Sequence, residues 1–411
     1  MKQNNNLIHK QLLLLCLYIA QSIPMSFFSS VVPVIMRENH YSLESIGLLQ
    51  LIKLPWILKL FWAPLVDDKT TVFTDYKRWI IFSELFYAVV IITIGFLNLE
   101  TNFHLIIILM IIAITASSTQ DIATDALSIY LIKGQERSLG ASMQSMGSFI
   151  GTLVGSGVLL VIYHYFGWKS LLIGLSVFVM VALTPLLTYK QTNHPKTPVK
   201  KKISLRELLT FFRQRNIAKQ IIFLLLYYAG ITSILAMFRP FLVDLGYPMK
   251  EIGFLFGILG TSAATICSFG AGFLIRRAGK DRCRVWFALF TVLATGFVLW
   301  LSFGHTSKMI VYSGVISLWI AYGLATVVVF TTAMDLTREG CEGTDFTLQT
   351  VFTHLSGIIL AIISGQIAGK FSYTVLFIFS VGLALVSLIY NAYFYQPLAP
   401  KNNDTAPASE I

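Results

Sequence analysis

Charge is what this sequence has least of. Only 12% of its 411 residues are Asp, Glu, Lys or Arg, where soluble domains carry about 25%. With 55% hydrophobic residues and a mean hydropathy of +0.72, that shortage excludes an ordinary soluble globule and leaves a polytopic membrane protein. Cysteine is sparse too. Cys16, Cys267, Cys283 and Cys341 show no CxxC spacing and no pairing pattern, so they read as packing residues or loop thiols, not disulfides or metal ligands. A phosphate loop of the G-x-x-x-x-G-K-[ST] type is missing, since neither Gly279-Lys280 nor Gly369-Lys370 has the upstream Gly or the following Ser/Thr. The chain therefore cannot run on ATP by itself. No catalytic constellation, metal or cofactor is expected, and the chain reads as something other than an enzyme.

Long apolar runs are what the sequence does have. Twelve are long enough to cross a bilayer as helices: roughly 12–33, 43–66, 79–98, 103–131, 138–163, 168–189, 217–240, 250–274, 284–304, 309–335, 345–368 and 372–395. The opening "MKQNNNLIHKQLLLLCLYIAQSIP" has a signal-peptide flavour but no clear small-residue cleavage site, so it reads as a retained first helix. With the N-terminus placed inside, 23 of the 31 Lys and Arg fall in the tails and inside loops, and five fall on the other side. That asymmetry predicts cytoplasmic termini. The net charge of +11 has the same origin. The Lys-rich central stretch reads as a linker facing water and anionic headgroups, not as a nucleic-acid patch.

The linker splits the spans six and six, and the halves resemble each other. "YSLESIG" (41–47) aligns with "YPMKEIG" (247–253) at an offset of 206. Pro33 and Pro240, and Trp79 and Trp286, match at 207, and Gly134 and Glu136 match Gly340 and Glu342 at 206. Two parallel six-helix repeats are what the major facilitator fold has, with its solute site between the halves. The expected layout is all-α: an N-terminal bundle (1–189), a cytoplasmic linker (190–216), a C-terminal bundle (217–396) and a tail (397–411).

A charge at the centre of a membrane helix costs about 2.5–3.5 kcal/mol and is usually paired, cavity-facing or functional. Lys53 and Lys59 lie in helix 2, Glu84 in helix 3, Asp121 and Asp125 in helix 4, and His354 in helix 11. At 1.5 Å per residue, Lys59 falls about 7 Å and Asp121 about 6 Å from the midplane on the same side, with Asp125 one turn further on the same face. A Lys–Asp–Asp group follows, either a static pair that fixes helix packing or a site of proton or solute coupling. At offset 206 the aspartates fall on Val327 and Thr331, and retention by one half only favours coupling. Asp121, the deeper, is the favoured proton carrier. Glu84 is expected to snorkel or to pair with Arg78 or Lys77. His354 reads as a polar packing residue. Arg239, ahead of Pro240, could attract an anionic solute or pair with Asp244. Gly147, Gly151 and Gly155 form a small-residue stripe suited to close helix contact. Pro24, Pro33, Pro55 and Pro64 are expected to break or kink helices 1 and 2.

Two motifs carry a family resemblance. "LPWILKLFWAPLVDD" (54–68) contains K-x-x-W-[AS]-P-x-x-D at Lys59, Trp62, Ala63, Pro64 and Asp67. "STQDIATDA" (118–126) contains Q-D-I-x-x-D-A at Gln120, Asp121, Ile122, Asp125 and Ala126. The chain thereby resembles the AmpG/acetyl-CoA transporter branch of the major facilitator superfamily, mostly over residues 18–170. The resemblance implies a bacterial inner-membrane permease, of the anhydro-muropeptide kind or of the rhizobactin and pyochelin siderophore kind. Helix 1, "LYIAQSIPMSFF" (17–28), and QDIATD in helix 4 resemble the siderophore subgroup. Asp68-Lys69 departs from the family, which has Arg directly after the signature Asp.

The expected function is import of a medium-sized polar solute by alternating access, driven by the proton gradient. Asp121, Asp125, Gln120, Lys53 and Lys59 would serve coupling or binding. Asp67 and Arg78, with Trp62 and Pro64, would form the cytoplasmic gate, and Glu84, Arg239 and His354 are secondary candidates. The partners would be the solute and the lipid bilayer, with the chain acting as a monomer. Efflux by proton antiport and a non-transporting scaffold are the alternatives; a scaffold gains nothing from the paired carboxylates.

Overall fold

The computed structural model describes residues 2–38, 52, 54–98, 101–189, 205–214 and 216–395. Among these residues there is no strand, and ten helices are long and apolar enough to cross a membrane. The run Gly134–Thr188 holds two of the expected spans, and residues 54–68 are the described part of another. The spans are labelled α1 (Lys2–Ser26, continued by Phe27–Val31 and Val32–Glu38), α2 (54–68), α3 (Phe73–Gly95) and α4 (Phe103–Leu131). α5 begins with Arg137–Leu153 and runs to residue 166, and α6 covers 168–182. The second half holds α7 (Ile217–Asp244), α8 (Met249–Ala278), α9 (Lys280–Leu301), α10 (Lys308–Asp335), α11 (Glu342–Lys370) and α12 (Tyr373–Phe394). With no water in the hydrocarbon layer, each run must satisfy its own backbone, which a helix does.

Several helices run past the apolar segments that announce them. α1 starts at Lys2 and not near 12, α3 at Phe73 and not 79, and α9 at Lys280. Their polar first turns stand outside the hydrophobic stretch, where nothing in the composition stops a helix. The α5–α6 turn is made by Gly167, whose φ of 75° is open to glycine at no steric cost. Pro24 is accommodated within α1, which passes through a wider π turn at Phe27–Val31. The break that matters for the site is in α2, where Leu54–Leu58 gives way to a tight turn at Lys59–Phe61 before Ala63–Asp68 restarts the helix near Pro64.

The small-residue stripe sets the spacing of α1 and α5. A Cβ on Gly147 would stand 2.6 Å from Tyr18 Cβ, one on Gly151 2.6 Å from Ser22 Cβ, and one on Gly155 2.6 Å from Ile23 O. Gly151→Ala would force these helices apart. A loss of about 1–3 kcal/mol is expected, as for other overpacked interiors, read as a lower melting temperature in detergent. An unchanged melt would show that the contact yields freely.

Between the halves, α5 packs against α8 and α10, and α11 packs against α4 and α2. The polar contacts across this seam cluster at the end that carries the linker and the basic loops, called the basic end below. Ser138 Oγ donates to Gly272 O at 3.1 Å, Ser142 Oγ to Ser268 O at 2.5 Å, and Arg137 Nη1 to Met334 O at 3.0 Å and to Asp335 Oδ1 at 3.1 Å. Lys280 also pairs with Asp335. The halves are thus clasped at the basic end.

Candidate functional site

The tight turn in α2 swings Lys59 into the N-terminal bundle, where only 1% of its side chain is exposed. Its ammonium lies 4.6 Å over the Trp56 ring and pairs with Asp121 Oδ2. Asp121 Oδ1 accepts from Gln21 Nε2 of α1. One turn along α4, Asp125 Oδ1 accepts from Tyr18 OH and from Gln144 Nε2 of α5, each at 3.0 Å. Asp125 Oδ2 has no donor among the described residues. Four helices therefore converge on a dry cluster of two carboxylates and one ammonium. With both acids ionised it carries one uncompensated negative charge, and a single proton makes it neutral.

The structure brings together Lys59, Asp121 and Asp125 and adds Tyr18, Gln21 and Gln144, which sequence reasoning missed. Tyr18 and Gln21 are three apart on α1, as Asp121 and Asp125 are four apart on the antiparallel α4, and that matched spacing was the available signal. Gln120 is not part of the cluster. It is fully buried, and neither amide atom has a partner among the described residues. Lys53 lies outside the described residues. Trp62 Nε1 donates to Thr119 Oγ1 at 3.1 Å, which ties the end of the α2 turn to α4. Pro64 is buried near the start of the helix that follows.

Glu84 does not snorkel and does not pair with Arg78 or Lys77. It is 1% exposed, both carboxyl oxygens lack a partner among the described residues, and Lys77 Nζ donates instead to Leu187 O at 2.9 Å. The one and a half turns between Glu84 and the basic end are too far for either cation, and α4 and α6 cover its helix. His354 is not a packed core histidine. It is exposed in the cleft between the halves, within Coulombic reach of Lys59. Arg239 does not pair with Asp244, whose Oδ2 accepts from Tyr373 OH at 2.7 Å. Its guanidinium stacks 5.0 Å over Phe256.

At the basic end Asp67 performs a gate-like contact without Arg78, which is exposed and has no partner among the described residues. Asp67 Oδ1 accepts from Gly343 N at 3.0 Å, and Oδ2 accepts from Thr344 N and Thr344 Oγ1 at 2.6 Å each. These donors form the first turn of α11, whose unpaired N–H groups and dipole favour a carboxylate. A Cβ on Gly343 would stand 2.8 Å from Asp67 Oδ1. Beside this lock, Arg338 donates to both oxygens of Asp345, at 2.8 and 2.6 Å, and to Glu207 Oε2 at 2.9 Å. The linker helix Arg206–Phe211 is thereby fastened to the α10–α11 turn.

Known proteins share this architecture. A family profile described as Major Facilitator Superfamily matches residues 14–361. An uncharacterized protein of Haemophilus influenzae is 25% identical over 93% of this chain and 94% of its own length. The anhydromuropeptide permease of Escherichia coli K12 is 24% identical over 92% of this chain and 78% of its own length. Among solved structures, the proton:xylose symporter XylE matches with a TM-score of 0.72 at 10% identity, covering 95% of each chain. The chain is a multi-pass membrane transporter and not an enzyme; it is similar to AmpG-like permeases, and it belongs to the Major Facilitator Superfamily.

Proposed function

We infer that the protein imports a medium-sized polar solute together with protons, by alternating access across the bacterial inner membrane. The carrying observation is the buried cluster, which holds two carboxylates for one ammonium. A static pair needs one acid per base, so the second acid leaves room for a transported proton. Because the acids are one turn apart, the proton belongs to the pair, with Asp121 the member that holds Lys59. Protonation loosens Asp121 from Lys59 and frees the broken segment of α2, which carries Asp67 eight residues further on. Coupling site and lock thus share one short element. With the basic end in the cytoplasm, the clasped arrangement is the half-cycle that receives solute from outside.

Two solute types fit. The Escherichia coli relative's name supports a muropeptide; the segments 17–28 and 120–125 support a siderophore. Purified protein in proteoliposomes, given an anhydromuropeptide or a ferric siderophore, is expected to accumulate one of them only under an imposed inward proton gradient. Uptake indifferent to the gradient would remove the coupling role, and gradient-driven extrusion would replace import with antiport.

A further inference from the structure

Arg239 stands apart from every charge pair among the described residues. No carboxylate there meets it, and its guanidinium lies on the face of Phe256 at 5.0 Å. Its helix face is known from its neighbours. Tyr228 precedes it by 11 residues, three turns of α7, and so shares its side of the helix. Tyr228 meets Tyr322 of α10 at 5.7 Å between ring centres, and Tyr322 meets Phe149 of the other half at 5.7 Å. This side of α7 therefore faces the seam between the halves. Phe256 leads to the same place, since it packs edge-on against Trp319 at 6.4 Å, and Trp319 against Phe149 at 6.2 Å. Trp319 lies against Gly260, where a Cβ would stand 2.4 Å from the ring. Its buried Nε1 has no acceptor among the described residues. Five rings thus line the seam beneath one exposed guanidinium, with an indole N–H left to donate.

We propose that Arg239, with the Phe256–Trp319 ring pair, forms an anion-recognition subsite of the solute cleft, taking a carboxylate attached to a planar or apolar body. A ring under the guanidinium orients its fork while leaving the N–H edge free, and that edge matches a carboxylate bidentately. The unpaired indole N–H supplies a further donor, and the aromatic seam accepts the body of the solute. The subsite sits on the C-terminal half, toward the end of α7 away from the basic end, and its Trp319 ring meets Phe149 of the N-terminal half, so a solute held there touches both halves. It rests on the transport reading for its role as a solute site, but its chemistry is tested without transport.

The probes are 4-nitrobenzoate and its neutral counterpart 4-nitrobenzamide, whose nitro group quenches indole emission on contact. Titrated into detergent-purified full-length protein, the acid is expected to quench at a concentration at least about tenfold below that of the amide. Trp319→Phe should remove the quenching signal. Arg239→Gln should abolish the preference for the acid, and Arg239→Lys should keep part of it. Arg239 makes no hydrogen bond within the described fold, so both variants are expected to melt as wild type does. Equal quenching by acid and amide, no quenching by the acid up to about 10 mM, or an unchanged preference in Arg239→Gln would each overturn the subsite. Failure of gradient-driven uptake in the wild type would overturn proton coupling and leave the acid–amide result standing.

Discussion

Lys59→Met and Asp121→Asn are each expected to damage the fold more than the two changes made together. The ammonium and the carboxylate are 1% and 2% exposed, so removing one partner strands a charge where water cannot reach it. Breaking a buried pair this way costs about 3–5 kcal/mol, whereas replacing both members by neutral groups of similar size is often neutral or even stabilising. The amide introduced by Asp121→Asn would still offer Gln21 Nε2 an oxygen. A double-mutant cycle on melting temperature and folded yield should therefore show strong coupling, with the double variant near wild type. Function should not follow stability. Asp121→Asn leaves Lys59 matched by Asp125 with no surplus charge. The double variant keeps the surplus on Asp125 but has lost the Lys59–Asp121 pair that protonation loosens. Gradient-driven accumulation should therefore fall at least about 100-fold in both, a loss of about 2.8 kcal/mol. Additive destabilisation would mean that the pair is not formed in the membrane. Wild-type uptake in the double variant would make the cluster an architectural device.

The same residues show how far the sequence could be read. Twelve apolar runs and a constant offset between halves are long-range regularities of composition, so the architecture was legible. The Lys59–Asp121 match was legible as well, because a charge in a membrane helix has a depth that can be counted residue by residue. For Tyr18 and Gln21 the spacing was the one signal, and for Gln144 there was none, since uncharged polar residues in such helices are common and the rotation that turns them inward is set by packing. That rotation is now explained in part by the glycine stripe that fits α5 against α1. Glu84 misled for the opposite reason: its nearness to Arg78 and Lys77 in sequence suggested a partner, but the helix carries it a turn and a half away from them. The lock at Asp67 was found on one side only. Its partners are backbone N–H groups and one hydroxyl of α11, which leave no charged residue to match.

That lock supplies the second large effect. Asp67 is 3% exposed and accepts from Gly343 N, Thr344 N and Thr344 Oγ1 across the seam. Hydrogen bonds to a charged group each contribute about 1.5–3 kcal/mol net, and all three exist only while the basic end is clasped. Asp67→Ala is therefore expected to shift the equilibrium between clasped and open states toward open by a few kcal/mol. Cys341 reports this directly, because it immediately precedes the first turn of α11. In the clasped state its thiol is pushed up to about 12, first by burial and next by the Asp345 carboxylate. A thiol that high has almost no reactive thiolate at neutral pH. Opening removes the burial, so maleimide labelling of Cys341, with the other three cysteines replaced by Ala, should quicken at least about tenfold in Asp67→Ala, equivalent to about 1.4 kcal/mol. Arg78→Ala serves as the control. Its side chain touches nothing in the lock, so its labelling rate should match wild type. Equal rates in Asp67→Ala and wild type would mean that the three hydrogen bonds do not hold the halves closed, and the clasp would then have to rest on the Arg137 contacts to Met334 and Asp335 and on the Ser138–Gly272 and Ser142–Ser268 contacts.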